Sequence, residues 1–251
     1  YLINSNAKSN PVLKDLIIEN MLSEKYVSYN ISELSKIFKD KLTELNLNTL
    51  FYDIEMPLAK VLFEMETAGF KIDLLELSVL DAKYSAIISQ LTEEIYEIAG
   101  VQFNINSPKQ LSEILFDKLQ LNAYGNKKKS TGIDVLNELL GTHEIIPKLI
   151  EYRQISKLYN TYIKAFGNLV NKETSKIYTL FNQTLTSTGR LSSVEPNLQN
   201  IPIRREEGRA LRKVFVPTDP EGFIVSADYS QIELRLLASF SKDAKLIEAF
   251  N

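Results

Sequence analysis

The sequence has no cysteine, no tryptophan and a single histidine, His143, in 251 residues. Without cysteine there is no disulfide, no thiolate nucleophile and no Cys-ligated zinc or iron–sulfur cluster. One histidine excludes a His-rich metal site and leaves little room for histidine catalysis. No apolar run approaches the roughly 18 residues of a membrane-spanning helix. No signal-peptide pattern opens the chain, so the expected setting is cytoplasmic. With 9 Gly, 8 Pro, 44% hydrophobic and 24% charged residues, the composition is neither collagen-like nor disordered. The chain opens at Tyr1 and closes in a helical pattern, and it reads as a piece of something longer.

The formal net charge of −3 argues against a nucleic-acid partner, but its distribution does not. Between positions 186 and 216, six basic residues (Arg190, Arg204, Arg205, Arg209, Arg212, Lys213) stand against three acidic ones (Glu195, Glu206, Glu207). Six of the seven arginines lie between 190 and 235, with Arg153 the exception. In a Lys-rich chain this suggests that arginine is kept where a rigid five-donor fork matters. A local basic stretch fits a grip on a polyanion. It also fits an ordinary solvated loop.

Hydrophobic periodicity predicts short helices over 11–24 and 32–45, joined by a polar segment from Lys25 to Asn30, and a third over 55–68 with Pro57 in its first turn. Spacings of three and four then predict a helix over 74–99, stopped by Gly100 and about 38 Å long. Its expected partner is the run from 144 to 171, carrying Ile150, Ile155, Leu158, Tyr162, Phe166 and Leu169. Between them lie a short helix after Pro108, a polar turn with Lys127, Lys128 and Lys129, and a helix over 133–140. The lysines fit a solvated turn better than a phosphate contact. After 172 the pattern changes: Ile177 to Phe181 reads as a strand, a polar stretch follows, and Phe223 to Ala227 reads as a buried strand. Ile232, Leu234, Leu237 and Phe240 then give helical spacing, with Leu234, Leu237 and Ala238 on the core face.

The sharpest chemical feature is I-V-S-A-D-Y-S-Q-I-E-L-R, residues 224–235. It sets Asp228 at the carboxyl end of the expected strand, where it could hold a hard cation such as Mg²⁺ or simply close a turn. Ser230 and Glu233 match a capping box, which accounts for Glu233 without any substrate. Arg235 is expected to balance local acid or reach a phosphate. Two-metal phosphoryl transfer needs a further carboxylate, because its ions lie about 3.5–4 Å apart. No second strand-end Asp is visible: Glu206 and Glu207 begin a charged helix, and Asp219 lies in a proline-flanked turn.

Thr186 to Ser193 offer hydroxyls, a glycine at a bend and Arg190, while Asn197, Gln199 and Asn200 add amides on an irregular chain. Amides and arginine can donate to minor-groove acceptors, which every base pair presents. Such a set tests the geometry of a duplex without reading its sequence. The alternative is a polar loop whose amides satisfy their own backbone.

Together these segments resemble the family A DNA polymerases, the bacterial DNA polymerase I-like enzymes. I-E-M-P-L (54–58) with E-M-E-T-A-G (64–69) is similar to the start of the family's polymerase region. F-N-I-N-S-P-K-Q-L (103–111) and E-Y-R-Q-I-S-K-L-Y-N-T-Y (151–162) are similar to thumb segments. F-N-Q-T-L-T-S-T-G-R-L-S-S-V-E-P-N-L-Q-N-I-P-I-R (181–204) resembles the signature leading into the palm, and D-Y-S-Q-I-E-L-R (228–235) the polymerase motif A. The resemblance implies an α/β multidomain fragment. Residues 1–52 would end a 3′–5′ exonuclease-like domain, 53–175 would form a mostly α-helical thumb with long antiparallel helices, and 176–251 would begin an α+β palm with an antiparallel sheet.

It also implies template-directed DNA polymerisation on primer–template DNA and dNTPs with two Mg²⁺ ions, by a monomer working in replication or repair. The setting would be the nucleoid of a bacterial or phage-infected cell, or an organelle. Asp228 and Glu233 would be the catalytic residues, with Asp228 and the backbone carbonyl of Tyr229 as metal ligands. Tyr229, Ser230, Gln231, Ile232 and Glu233 would bind dNTP, Glu233 lying under the sugar and excluding a 2′-OH. Arg190, Asn197, Gln199, Asn200, Lys157, Asn106 and Arg204 would contact DNA, and Asp228 would face the groove that Arg190 and the amides line.

Departures limit the expectation. The family's fingers helix and second catalytic Asp would lie beyond position 251, so this piece is not expected to polymerise alone; it would then be a non-catalytic duplex-binding module. Tyr159 stands where related thumbs carry lysine. Tyr26-Val27-Ser28-Tyr29-Asn30 resembles a Tyr-x-x-x-Asp exonuclease metal motif with Asn at the Asp position, which implies lost proofreading. A hydrolase using Asp228 as nucleophile fits poorly, since it usually needs a second Asp at position 230, which is Ser. Single-subunit RNA polymerases share the architecture, but Glu233 and the surrounding strings favour the DNA enzymes.

Overall fold

The longest periodic stretch of the sequence becomes the longest helix of the protein. The computed structural model describes Leu2 and residues 12–22, 27–121, 129–203 and 206–250. In chain order its helices are α1 (Leu13–Glu19), α2 (Val27–Glu44), α3 (Met56–Ala68), α4 (Leu74–Ala99), α5 (Pro108–Ser112), α6 (Ile133–Glu138), α7 (Ile145–Leu158), α8 (Lys164–Leu169), α9 (Glu206–Arg212), α10 (Ile232–Ser241) and α11 (Ala244–Phe250). The strands are β1 (Phe70–Ile72), β2 (Lys176–Ile177), β3 (Leu180–Asn182), β4 (Ser192–Val194) and β5 (Phe215–Val216). Two compact units result, Tyr1–Val216 and Pro217–Asn251.

Helix α4 has the expected bounds. Asp73 caps its start, accepting from the Leu75 and Glu76 amides at 2.9 and 3.0 Å, and Gly100 ends it in the left-handed region (φ 66°). Leu77, Leu80, Tyr84, Leu91 and Ile95 form its buried stripe. They pack against α7, which buries Ile146, Leu149, Tyr152 and Ile155. Each such side chain contributes about 1.5–3 kcal/mol relative to exposure. Glu94 meets Lys148 at 2.6 Å, while Asp81 pairs with Tyr159. Residue numbers fall on one helix as they rise on the other, so the pair is antiparallel. Past Leu158 the helix widens over Tyr159–Ile163, with Lys164 N–H donating to the Tyr159 carbonyl five residues back, and continues as α8.

Tyr159 is therefore a tie between the two long helices, with its hydroxyl on Asp81 and its pKa raised by burial and by that carboxylate. At the front, α2 begins well before the expected position 32. Asn30, expected in a joining segment, lies inside the helix and is buried; Tyr26 falls outside the described residues.

Strand β1 is the centre of a three-stranded antiparallel sheet ordered β2-β1-β5. Phe70 pairs with Ile177 and Ile72 with Phe215. Gly69, just before β1, has φ 60°, and a Cβ there would lie 2.7 Å from the Tyr178 ring, so no larger residue fits. The expected strand from Ile177 to Phe181 is in fact two strands in two sheets. Thr179, 3% exposed, sits at the changeover, and β3 pairs with β4 in a separate hairpin, Phe181 opposite Ser193.

The unit Pro217–Asn251 departs most from expectation. Asp219 and Gly222 close a turn (Gly222 N–H to the Asp219 carbonyl, 2.9 Å), but residues 223–229 form no strand. Phe223 and Val225 are 89% and 87% exposed. A strand exists only where a neighbour supplies N–H and C=O partners, and among the described residues no strand pairs with this segment. For the same reason Leu234 and Leu237 are about half exposed, and Ala238 is the buried residue of α10.

Candidate nucleic-acid and nucleotide site

The hairpin β3–β4 carries Arg190 in the connection 183–191. Gly189 takes φ 78°, and the Thr186 hydroxyl closes the loop by donating to the Arg190 carbonyl at 2.6 Å. Phe181 N–H donates to the Glu66 carboxylate at 2.6 Å, and the Gln183 amide bridges to Glu55 at 3.0 and 3.1 Å. The hairpin is thus tied to α3 and to the wider helical segment Leu50–Glu55 that runs into it, and the Arg190 side chain is exposed.

After β4 the chain passes a cis Glu195–Pro196 bond and reaches the amides. Two of them use their oxygens internally. Gln199 Oε1 accepts from Ser193 N–H at 3.1 Å, and Asn197 Oδ1 accepts from Gln199 N–H at 3.0 Å. The bland alternative for this segment is therefore half realised: the acceptor ends serve the backbone. A backbone N–H can only donate, so each amide must face it with oxygen, and the NH₂ end is left for a partner. Gln199 and Asn200 are exposed and Asn197 is half-buried.

Of the other expected DNA contacts, Lys157 lies exposed on α7. Asn106 precedes α5 and donates from Nδ2 to the Tyr152 hydroxyl at 3.1 Å. Arg204, like Lys127 and Lys128, lies outside the described residues. Lys129 pairs with Asp117, which supports the structural reading of that turn.

In the unit Pro217–Asn251, Asp228 and Tyr229 are exposed on the irregular segment before α10. The expected capping box is not formed. Gln231 occupies the N-cap position with φ 53°, in the left-handed region, and no side chain caps the helix. Ser230 is thereby set outside the position from which its hydroxyl could reach the Glu233 amide. Arg235 donates to the Ser230 and Phe250 carbonyls at 2.9 and 3.1 Å and lies over the Phe250 ring. It fastens α11 to the start of α10. Arg153 and Arg212 likewise spend their forks on backbone carbonyls, those of Thr131 and of Ile201 and Pro202.

The Asp228 carboxylate and the Tyr229 carbonyl are hard oxygen donors, suited in kind to Mg²⁺. They are too few to hold it, and among the described residues no three His, Cys, Asp or Glu side chains form a metal-binding group. No described helix is long and apolar enough to cross a membrane.

Four residues around the amides were not singled out as site residues by sequence: Tyr162, Thr179, Ser193 and Arg212. One signal was present, a threonine at the centre of an apolar strand pattern; the Ser193 contacts are local, to Pro196, Leu198 and Gln199, while Tyr162 reaches Asn200 across 38 positions.

A sequence model described as DNA polymerase family A matches residues 75–251. DNA polymerase I of Geobacillus stearothermophilus is 49% identical over 219 residues, 86% of this chain and 25% of the relative. DNA polymerase I of Borreliella burgdorferi is 44% identical over 258 residues, 100% of this chain and 28% of the relative. Among solved structures, the POL domain of Pol1 from M. smegmatis, in complex with DNA primer-template and dNTP, matches with a TM-score of 0.89 at 36% identity. That match covers 100% of this chain and 46% of the other. The chain spans about a quarter of the length of the curated relatives.

Proposed function

Because this chain belongs to DNA polymerase family A, we propose that it supplies the thumb and the first part of the palm of a template-directed DNA polymerase. Residues 53–175 are the thumb, 176–251 begin the palm, and 1–52 end an exonuclease-like domain whose Asn30 no longer serves a metal. The observation that carries this reading is the likeness of the whole chain, at a TM-score of 0.89, to a polymerase domain solved with primer–template and dNTP.

In the proposed reaction a primer 3′-OH attacks the α-phosphorus of a dNTP in line and pyrophosphate leaves. Asp228 and the Tyr229 carbonyl would be this chain's contribution to a Mg²⁺ site, which would need further oxygen ligands to be complete. When bound, the cations stabilise the attacking and leaving oxygens. Residues 229–233 line the nucleotide, and Glu233 excludes a ribose 2′-OH. Arg190, Asn197, Gln199 and Asn200 donate to the minor groove, while Lys157 and Arg204 meet phosphate and Asn106 lies along the grip. Binding is therefore sequence-neutral and weakens steeply with salt. The 251-residue chain by itself binds duplex without catalysis, since among the described residues Asp228 belongs to no group of three or more potential metal ligands.

The test uses a protein of the relatives' length, a primed template, dNTPs and Mg²⁺. Asp228→Ala is expected to reduce extension to background while duplex affinity and its salt dependence stay as in the wild type. Extension that survives the substitution removes the metal role.

A further inference from the structure

We propose that Thr179, Ser193 and Tyr162 are positioning residues for duplex recognition: they lock the segment 193–200 so that the NH₂ groups of Asn197 and Gln199 are the ends offered to a minor groove. This rests on reading the chain as a duplex-binding polymerase piece, and it adds what fixes the donors in place.

The lock has two sides. On the hairpin side, Ser193 is fully buried and Thr179 is 3% exposed, so each hydroxyl must find its partners within the protein. Leu198 N–H reaches Ser193 Oγ at 2.8 Å, Ser193 Oγ lies 3.1 Å from Thr179 Oγ1, and Thr179 Oγ1 lies 2.8 Å from the Pro196 carbonyl. Each hydroxyl carries one proton. Leu198 N–H donates to Ser193, and the two hydroxyl protons are shared among Thr179 Oγ1, Ser193 Oγ and the carbonyls of Pro196 and Val194, which lie 3.2 Å from Ser193 Oγ and 3.0 Å from Thr179 Oγ1 respectively. This network closes the bend over residues 193–198 and holds Ser193 N–H toward Gln199 Oε1.

On the helix side, the Tyr162 hydroxyl donates to the Asn200 carbonyl at 2.5 Å. Its ring is buried against Phe166, centroids 6.0 Å apart, so the helix core sets where Asn200 lies. Beyond Asn200, Arg212 takes the Ile201 and Pro202 carbonyls, and Gly208 lets Pro202 approach to a distance no side chain would allow. A segment pinned at both ends, with both amide oxygens committed, presents donors of one orientation. That is what contact with purine N3 and pyrimidine O2 requires, because those acceptors occupy similar positions in every pair.

The test is a cycle between protein atoms and one DNA atom. Equilibrium binding of the 251-residue chain to a primer–template duplex is measured with natural purines and with 3-deazapurines, which replace the N3 acceptor by C–H, near the primer end. Wild type is expected to lose about tenfold in affinity on deaza-substitution. Tyr162→Phe and Thr179→Val are expected to bind the natural duplex at about that weaker level and to lose less than twofold more on deaza-substitution. Thr179→Ser, which keeps the hydroxyl, is expected to restore full sensitivity. An unchanged salt slope in the variants shows that the phosphate grip, and hence the fold, is intact. Variants that keep the whole tenfold sensitivity overturn the lock alone. A wild type indifferent to N3 but still bound overturns the lock and the minor-groove role of the amides. A wild type that does not bind duplex overturns the underlying reading as well.

Discussion

Helices α4 and α10 carry the same three-and-four apolar spacing, yet α4 buries six residues along its length and α10 buries only Ala238. The difference is not in the helices' own sequences. Antiparallel α7 covers the stripe of α4, while within its unit α10 has only the short α11 beside it. Periodicity specifies that a helix forms and which face is apolar; burial, and with it most of the stability, depends on what is packed against that face. The same holds for 223–229, where a good strand pattern without a neighbour remains irregular and exposed.

The contrast can be broken most directly by paired truncations. Phe166 is fully buried and Leu237 about half exposed. Phe166→Ala is expected to destabilise the chain by about 3–5 kcal/mol and Leu237→Ala by about 0.5 kcal/mol or less, both read from urea unfolding. Equal losses would show that α10 is as well supported as the long pair.

A second pair sharpens the role of close packing. A Cβ at Gly208 would lie 2.3 Å from the Pro202 carbonyl oxygen, whereas one at Gly167 in α8 meets nothing within 4 Å. Gly208→Ala is expected to cost about 1–3 kcal/mol through forced backbone movement. Gly167→Ala is expected to add about 0.5–1 kcal/mol through helix propensity. The same substitution then moves the thermal midpoint in opposite directions.

The smallest effect concerns the ion pair between α4 and α7. Donation from Lys148, then from Gln90, holds the Glu94 carboxyl below its ordinary range. A depressed carboxylate contributes fully above the usual glutamate range and loses its contribution as the pH falls through the lowered folded value. The wild type is therefore expected to lose slightly more stability than Lys148→Ala as the pH drops below that range. The gap between the two is expected to shrink in high salt, since the pair is partly exposed. Parallel acid limbs in denaturant titrations would show that the pair contributes nothing.

What the sequence made legible follows the reach of each interaction. The ends of α4 were readable because Gly100 acts within one turn, and the antiparallel partner because its periodicity spans several turns. The capping box at Ser230 and Glu233 failed because Gln231 adopts a left-handed backbone, which a four-letter pattern does not encode. The amide donors were identified by type, but what holds them was not: Tyr162 reaches Asn200 across 38 positions, and Thr179 reaches Pro196 across 17. Those bonds exist only once the fold has brought their partners together.

Strands β1 and β2 lie side by side although a hundred residues separate them. The excursion that carries the long helices thus leaves and rejoins the chain at neighbouring points, like a drawer on one pair of runners. Such a cassette can be lengthened, trimmed or exchanged between homologues while the flanking backbone keeps its course, because the distance its two ends must span does not change.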